Sequence, residues 1–248
     1  MEMEQEFTDI GGTVLASWRV AGESPPLVCL HGAGVSSREM LPLLSALHGK
    51  RAAWSVDLPG YGASEPVRAP IEIGAFADAL VLFLGSTFAS AVHLVGCSSG
   101  CQVAVDLAVR YPEHVRGLVL VGPTVDARAR SFPRQLWRWV RNGVHEPRGL
   151  GALVRRDYRD AGPRRVAAAF RAALCDPIED KLPKVQQPTL VVRGEYDRMV
   201  PNDWAEEVTR LLPHGRLRTW PGAAHMVPFA DPSGLAGALD EFVSEVQR

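Results

Sequence analysis

The sequence lacks long hydrophobic runs, although 46% of its 248 residues are hydrophobic. No apolar stretch reaches the roughly 20 residues that a membrane-spanning helix needs. The opening residues, MEMEQEF, contain neither a basic region nor an apolar core, so we expect no secretory signal. We therefore predict a cytoplasmic protein without a membrane partner.

Lysine is also rare, with three residues against 24 arginines, and the net charge is −1. A nearly neutral chain has no overall attraction for nucleic acid, and we expect none as a partner. Residues 124–171 are a local exception, because they hold twelve arginines and only four acidic residues. This excess would suit an anionic substrate or an acidic carrier protein, but scattered arginines are also common on solvated helix faces.

Cysteine is too sparse and too irregularly spaced to indicate a metal site or a disulfide framework. The four cysteines are Cys29, Cys97, Cys101 and Cys175. None of their spacings matches a ligand pattern, so reduced thiols are the simplest interpretation. We predict no metal and no organic cofactor.

Short, continuous apolar runs recur along the chain and are followed by helix-like segments. Continuous rather than alternating runs indicate parallel strands covered on both faces. A strand before them is predicted to be antiparallel, at 13–20, and a late edge strand is predicted at 217–220. Strands that alternate with helices predict an α/β fold. The five apolar runs are 26–30, 52–56, 92–95, 118–121 and 189–192.

Helical patterns occupy 102–111, 202–212 and the segment that opens at Asp231-Pro232. Asn202 or Asp203 is the expected N-cap of the second. From 124 to 187 the sequence has helical tendency but no strand-like run. We therefore predict a core of residues 1–123 and 188–248, with a helical cap inserted at 124–187. Four aromatic residues of this cap either line a pocket or pack it onto the sheet: Trp137, Trp139, Tyr158 and Phe170.

Gly96-Cys97-Ser98-Ser99-Gly100 joins a predicted strand to a predicted helix. This G-x-S-x-G pattern at a strand-to-helix corner is typical of a nucleophile elbow, in which the serine stands above the end of the sheet. The helix that follows directs its N–H groups to the same place. The five residues alone are equally compatible with a plain glycine-rich turn.

A serine nucleophile needs a base and an acid that orients the base. His225 follows the last predicted strand, and Asp197 follows the strand before it. The chain order serine, aspartate, histidine is the one found in α/β-hydrolases. Asp126 is a rival acid because it also follows a strand, and Glu195 is interpreted as a solvated loop charge.

An oxyanion intermediate needs two fixed N–H donors. The backbone N–H of Ser99 is one candidate, and that of Ala33, in the His31-Gly32-Ala33-Gly34 loop, is the second. We interpret His31 as a hydrogen-bonding residue that shapes this loop, and His93 as a core histidine. The expected substrate contacts are Gly32, Cys97, Trp137 and Met226.

Five ordered blocks together resemble the α/β-hydrolase fold family over essentially the whole chain. They begin at His31, Asp57, Gly96, Gly194 and Gly222, and the second reads DLPGYGAS. The resemblance implies a Ser98–His225–Asp197 triad, an oxyanion hole at Ala33 and Ser99, and a helical cap. Cys97 and Ser99 differ from the residues frequent beside the nucleophile in relatives. Ser98 argues against the aspartate-nucleophile members, the epoxide hydrolases and haloalkane dehalogenases.

The expected activity is hydrolysis of a small ester, thioester or lactone through an acyl-enzyme. The same site could also serve a C–C bond hydrolase, or a cyclase or lyase. A non-catalytic ligand-binding protein is the remaining alternative. The expected partner is a small molecule, anionic or carrier-bound, and the sequence does not indicate an oligomeric state.

Overall fold

An eight-stranded sheet forms the centre of the protein, in a computed structural model that describes residues 3–67 and 71–247. The strand order is β1-β2-β4-β3-β5-β6-β7-β8. β2 runs antiparallel to both of its neighbours, and the remaining adjacent pairs are parallel. The strands are β1 (Glu4–Asp9), β2 (Val14–Val20), β3 (Glu23–Leu30), β4 (Arg51–Val56), β5 (Val92–Cys97), β6 (Val115–Val121), β7 (Thr189–Gly194) and β8 (Gly215–Trp220).

Every predicted strand is present, including the antiparallel strand β2 and the edge strand β8. The sequence did not reveal β1, whose residues EQEFTD carry charges and are mostly exposed or half-buried. Both faces of this edge strand contact solvent, so its sequence lacks the continuous apolar run that predicts a buried strand. Backbone pairing with β2 fixes it instead.

Helices cover both faces of the sheet. Alternate residues of β3 belong to different cores, since Leu27 packs with α1 and α10 while Val28 packs with α2 and α3. This explains why the parallel strands are apolar at consecutive positions. The helices are α1 (Leu41–Leu47), α2 (Ile73–Thr87), α3 (Gly100–Arg110), α4 (Phe132–Gly143), α5 (Leu150–Ala161), α6 (Pro163–Cys175), α7 (Ile178–Lys181), α8 (Asn202–Leu211), α9 (Val227–Ala230) and α10 (Pro232–Val246).

The predicted helix starts are close to the observed ones, with one correction. Asp231 accepts a hydrogen bond from the Gly234 N–H at 3.0 Å and caps α10. In contrast, the N-cap of α8 is Pro201, so Asn202 and Asp203 already lie inside the helix. The rigid φ of Pro201 sets the turn into α8 without a side-chain cap.

Residues 124–187, which we call the insertion segment, contain α4 to α7 and short 3₁₀ turns at Ala127–Ala129 and Leu182–Lys184. All of these residues are described, and none of them forms a strand. Across the described ranges, no helix is both long and apolar enough to cross a bilayer.

Helix α4 faces the core with polar side chains, because Gln135 and Asn142 are buried. Its apolar side is not covered by other parts of the described chain, since Phe132, Leu136 and Val140 are 60%, 47% and 58% exposed. A spacing of four residues places these three on one side of the helix. Phe132 and Leu136 border the cavity described below. The inward polar side brings Asn142 against the loop that follows β7.

Candidate active site

Ser98 stands at a strained corner between β5 and α3. Its φ is +54°, the only positive value among the non-glycine residues described. A Cβ at position 96 would lie 2.6 Å from the Gly100 carbonyl oxygen, and one at position 100 would lie 2.4 Å from that of Leu30. Because neither position has room for a side chain, both glycines are needed for the turn. Strain of this kind concentrates at functional sites, and here it lifts the Ser98 side chain above the sheet edge.

Asp197 and His225 form a buried pair at the same edge. Asp197 Oδ2 lies 2.8 Å from His225 Nδ1, and the two residues are 2% and 7% exposed. The other oxygen, Oδ1, accepts hydrogen bonds from the N–H groups of Met199 and Val200 at 2.8 and 2.9 Å. This leaves Oδ2 free to orient the imidazole.

The second ring nitrogen, His225 Nε2, is buried and has no hydrogen-bond partner within the described residues. The Ser98 hydroxyl instead lies 3.5 Å from Thr124 Oγ1. Catalytic hydrogen bonds are often long in a resting enzyme and tighten when substrate binds. Nε2 is therefore available to accept a proton.

Nearby carboxylates favour the protonated form of His225. Burial is the largest single effect and acts to lower its pKa, but the charge and hydrogen bond of Asp197, together with Glu146 and Glu39, outweigh burial. The net result is a pKa well above the usual 6.5. The site is therefore built to stabilise an imidazolium, the form that a general base adopts after it takes a proton.

The two residues expected to supply oxyanion donors lie beside Ser98. Ala33, Ser98 and Ser99 line the same cavity. In the described ranges, neither the Ala33 nor the Ser99 N–H donates a hydrogen bond to the chain. Such unpaired donors beside a hydroxyl are the arrangement that binds a developing oxyanion.

A buried carboxyl supports the loop before Ala33. Glu39 Oε1 accepts the Gly32 N–H at 2.5 Å, and Glu39 is 3% exposed. Burial raises the pKa of Glu39 to about 8, despite the opposing effects of the Gly32 N–H and His225. Glu39 is therefore mostly protonated near neutral pH, and its charge acts on His225 fully only at higher pH.

A cavity of about 490 Å³ opens between this edge and the insertion segment. Its size is typical of a small-molecule site. The lining is mainly apolar, and Arg159 is the one charged residue among the described residues that form it. The aromatic part of the lining is Phe132, Trp139, Tyr158 and Phe170.

The other residues expected to contact substrate lie outside this cavity. Trp137 is 60% exposed and borders a separate surface depression with Arg138 and Arg141. Residues two positions apart on a helix point to different sides, so Trp139 lines the cavity and Trp137 lies outside it. A substrate contact at Trp137 stays a prediction that this cavity does not support, whereas Trp139 lines the cavity.

Cys97 and Met226 pack behind the turn instead of lining the cavity. Cys97 is fully buried, and its Sγ lies 3.7 Å from Met226 Sδ. Gly32 does not line the cavity either, but a Cβ at this position would lie 3.3 Å from Ser98 Cβ. All three residues therefore lie around the Ser98 turn and not in the cavity lining, and their contact with substrate stays a prediction.

The surroundings of His31, His93 and Glu195 agree with the interpretations given from the sequence, and the rival acid Asp126 does not pair with His225. His31 Nε2 accepts the Leu58 N–H at 3.0 Å, and Nδ1 lies 2.9 Å from the Gly32 carbonyl oxygen, so His31 shapes its loop. His93 is fully buried. Asp126 pairs with Arg128 and Arg138 rather than with His225. Glu195 is exposed and accepts the Gly222 N–H.

Four residues near the site were not found from the sequence: Glu39, Thr124, Asn142 and Glu146. Glu39 and Thr124 belong to no recognisable motif. Asn142 and Glu146 lie in the insertion segment, far along the chain from the residues that they contact. Only long-range contacts identify them.

The chain matches the family model described as the alpha/beta hydrolase family over residues 27–238. It is 30% identical to polyketide synthase ThaQ of Burkholderia thailandensis (strain ATCC 700388 / DSM 13276 / CCUG 48851 / CIP 106301 / E264), in an alignment that covers 99% of this chain and 13% of that synthase. The chain thus spans only a small part of the synthase.

A relative of similar length is the pimeloyl-[acyl-carrier protein] methyl ester esterase of Shewanella woodyi (strain ATCC 51908 / MS32). It is 29% identical over 90% of this chain and 93% of the esterase. Among solved structures, a thermophilic esterase from Thermogutta terrifontis superposes with a TM-score of 0.77 at 23% identity over the full length of both chains. That likeness concerns the fold. The family match, the strand order and the esterase relatives establish that this chain belongs to the α/β-hydrolase family and is an esterase-like enzyme.

Proposed function

We propose that the protein is a serine hydrolase that cleaves a carboxylic ester, thioester or lactone through an acyl-enzyme on Ser98. The observation that carries this proposal is that the groups needed for acyl transfer lie close together. The Ser98 hydroxyl, the unpaired N–H groups of Ala33 and Ser99, and the buried Asp197–His225 pair lie together beside an apolar cavity. A binding protein has no need of a strained serine and an imidazole oriented by a carboxylate.

In the acylation step, His225 Nε2 takes the Ser98 proton while Oγ attacks the carbonyl carbon of the substrate. The carbonyl oxygen becomes an oxyanion and accepts hydrogen bonds from the N–H groups of Ala33 and Ser99. Asp197 holds His225 in the tautomer with Nε2 free. His225 then gives its proton to the departing alkoxide or thiolate, which leaves the acyl group on Ser98.

In the deacylation step, water replaces the leaving group. His225 Nε2 takes a proton from this water, and the hydroxide adds to the acyl carbon. Collapse of the second oxyanion returns the proton to Ser98 Oγ and releases the carboxylic acid. Each step uses the same N–H groups, so no group outside the chain is required.

The cavity supports an apolar acyl group as the part of the substrate that enters. A carrier-bound substrate is consistent with the relative that acts on a pimeloyl-[acyl-carrier protein] methyl ester. Arg159 at the lining would then pair with an anionic part of that substrate. The insertion segment supplies Arg159 and most of the apolar lining, so we propose that it serves as the cap of the site.

A p-nitrophenyl ester series, from acetate to long acyl chains, tests the chemistry. Wild-type enzyme should release p-nitrophenol, with an optimum set by the cavity. Ser98→Ala should lose on the order of 10⁴-fold or more in kcat. Ser90→Ala removes an exposed serine hydroxyl outside the site and should remain active. Full activity of folded Ser98→Ala would refute the scheme, and a wild type inactive on every ester would point to C–C bond cleavage, lyase chemistry or binding.

Arg159→Gln tests the proposed anionic substrate. It should reduce kcat/KM for an ester with a terminal carboxylate and leave a neutral ester of equal length little affected. Arg156→Gln is a matched control, because Arg156 lies on the same helix but does not line the cavity. Equal effects of the two variants would argue against a direct contact at Arg159.

A further inference from the structure

The turn between α4 and α5 reaches the loop that carries His225. Glu146, in this turn, accepts the His225 backbone N–H at 2.9 Å through Oε1. The same oxygen lies 3.3 Å from the Met226 N–H. The insertion segment therefore holds the backbone of the histidine itself, not only its surroundings.

The last turn of α4 and the turn that follows it reach the loop that carries Asp197. Asn142 is 4% exposed, and its Oδ1 accepts the Arg198 N–H at 3.0 Å. The His145 ring stacks on Tyr196, with centroids 5.4 Å apart and planes 25° from parallel. Asp197 is thus flanked by two residues with such contacts, since Arg198 contacts the last turn of α4 and Tyr196 contacts the turn after it.

A direct hydrogen bond joins these two contacts. Asn142 Nδ2 donates to Glu146 Oε1, the oxygen that also accepts the His225 N–H. One continuous set of hydrogen bonds therefore runs from the Arg198 N–H through Asn142 and Glu146 to the His225 N–H. It joins the loop that carries Asp197, which we call the acid loop, to the loop that carries His225, the base loop. This connection is separate from the direct Asp197–His225 contact.

We propose that Asn142 and Glu146 are positioning residues that fix the acid loop relative to the base loop, so that seating of the insertion segment sets the alignment of the Asp197–His225 pair. This inference rests on the proposed function. A misplacement of about 1 Å in a catalytic group can cost about 100-fold in rate.

The two loops are also joined directly, by the Tyr196 N–H to the Ala223 carbonyl oxygen and by the Gly222 N–H to Glu195. The hydrogen bonds through Asn142 and Glu146 differ from these because they hold the backbone of His225 itself and of Arg198, which directly follows Asp197.

Glu146 also has an electrostatic effect on His225. The titratable groups that face His225 are Asp197, Glu146 and Glu39, and all three favour its protonated form. Burial raises the pKa of Glu146, while His225 and Asn142 act to lower it. Removal of the Glu146 charge should therefore lower the pKa of His225, an effect that a purely structural contact would not produce.

Two variants distinguish the effect of Glu146 on the position of His225 from the effect of the Glu146 charge. Glu146→Gln keeps an oxygen acceptor for the His225 N–H, so kcat at the pH optimum should stay within about threefold, while the kinetic pKa on kcat/KM falls. Glu146→Ala removes the acceptor as well and should lower kcat by about 10- to 100-fold with little change in KM. Asn142→Ala should lower kcat in the same way. Glu179→Ala is the control, because it breaks an ion pair with Arg130 inside the insertion segment and touches neither loop.

The measurements are pH profiles of p-nitrophenyl ester hydrolysis, with thermal unfolding of each variant and Ser98→Ala in parallel. Loss of kcat in Glu146→Ala and Asn142→Ala, with a lowered kinetic pKa in Glu146→Gln, would support the inference. A Glu146→Gln profile that superimposes on wild type, or Ala variants that behave like Glu179→Ala, would overturn it. If Glu146→Ala fails to fold, the Glu146→Gln profile decides. Activity in Ser98→Ala would refute the proposed function instead.

Discussion

Asp197 and His225 lie 28 positions apart in the sequence, yet Oδ2 of one is 2.8 Å from Nδ1 of the other. Asp197 follows β7 and His225 follows β8, and these strands are parallel neighbours. The carboxyl ends of parallel strands meet at the same edge of a sheet, which is where open α/β sheets bind ligands. A Cβ at Gly122, after the next strand β6, would come within 2.7 Å of the His225 ring. The imidazole is therefore fixed by a hydrogen bond on one side and close packing on another.

The first prediction concerns the orienting acid. Asp197→Asn keeps the shape of the side chain but removes the carboxylate that selects the His225 tautomer, so kcat should fall by on the order of 10⁴-fold. Asp126→Asn provides the matched control, because Asp126 pairs with arginines and not with His225. Ester hydrolysis by the two variants distinguishes them. A larger loss in Asp126→Asn would reverse the assignment of the acid.

The second prediction is the pH dependence of the wild type. His225 must be neutral to accept a proton, and its pKa is raised because the carboxylates around it, Asp197 foremost, together outweigh burial. The value of kcat/KM should therefore rise with pH, with a kinetic pKa above the 6.5 of an ordinary histidine. Initial rates from pH 5 to pH 10 measure this limb. A kinetic pKa at or below 6.5 would contradict the electrostatic description.

The third prediction contrasts two tryptophans of α4. Trp139 lines the cavity, whereas Trp137 does not. Trp139→Ala should enlarge the cavity and shift the optimum of the p-nitrophenyl series to longer acyl chains. Trp137→Ala should leave that optimum unchanged. The kcat/KM profile across chain lengths checks both, and an equal shift in the two variants would contradict the placement of α4.

The fourth prediction concerns stability. The pKa of Glu39 is about 8 in the folded protein against 4.5 as the ordinary value, because of burial. The folded state therefore holds this proton more tightly than the unfolded state, and the free energy of unfolding falls as pH rises from about 4.5 to 8. Glu39→Gln keeps an oxygen for the Gly32 N–H and cannot ionise.

The free energy of unfolding of Glu39→Gln minus that of wild type should therefore be larger at pH 8.5 than at pH 5. Urea unfolding at the two pH values measures the difference. Glu207→Gln serves as the control, since the Glu207 side chain on α8 is 40% exposed and pairs with Arg210. If the difference in free energy of unfolding between wild type and Glu39→Gln does not change with pH, Glu39 is ionised in the folded protein.

The sequence by itself determined the sheet and the residues at its edge. Parallel strands buried on both faces require continuous apolar runs, and such runs are visible without any contact information. The turn at Ser98 needs glycine at positions 96 and 100 for local steric reasons, so it leaves a local pattern. Strand ends also placed Asp197 and His225 among the candidates, but Asp126 follows a strand as well, and only the contact of Asp197 with His225 separates the two acids.

Only the tertiary structure decided what depends on contacts between distant parts of the chain. The charged edge strand β1 is fixed by its pairing with β2. The rotation of α4 against the core decides that Trp139 and not Trp137 lines the cavity, and it turns Asn142 toward the Arg198 N–H. Glu146 meets His225 across 79 positions of sequence. No local propensity encodes such a contact, because it depends on how the insertion segment packs on the sheet.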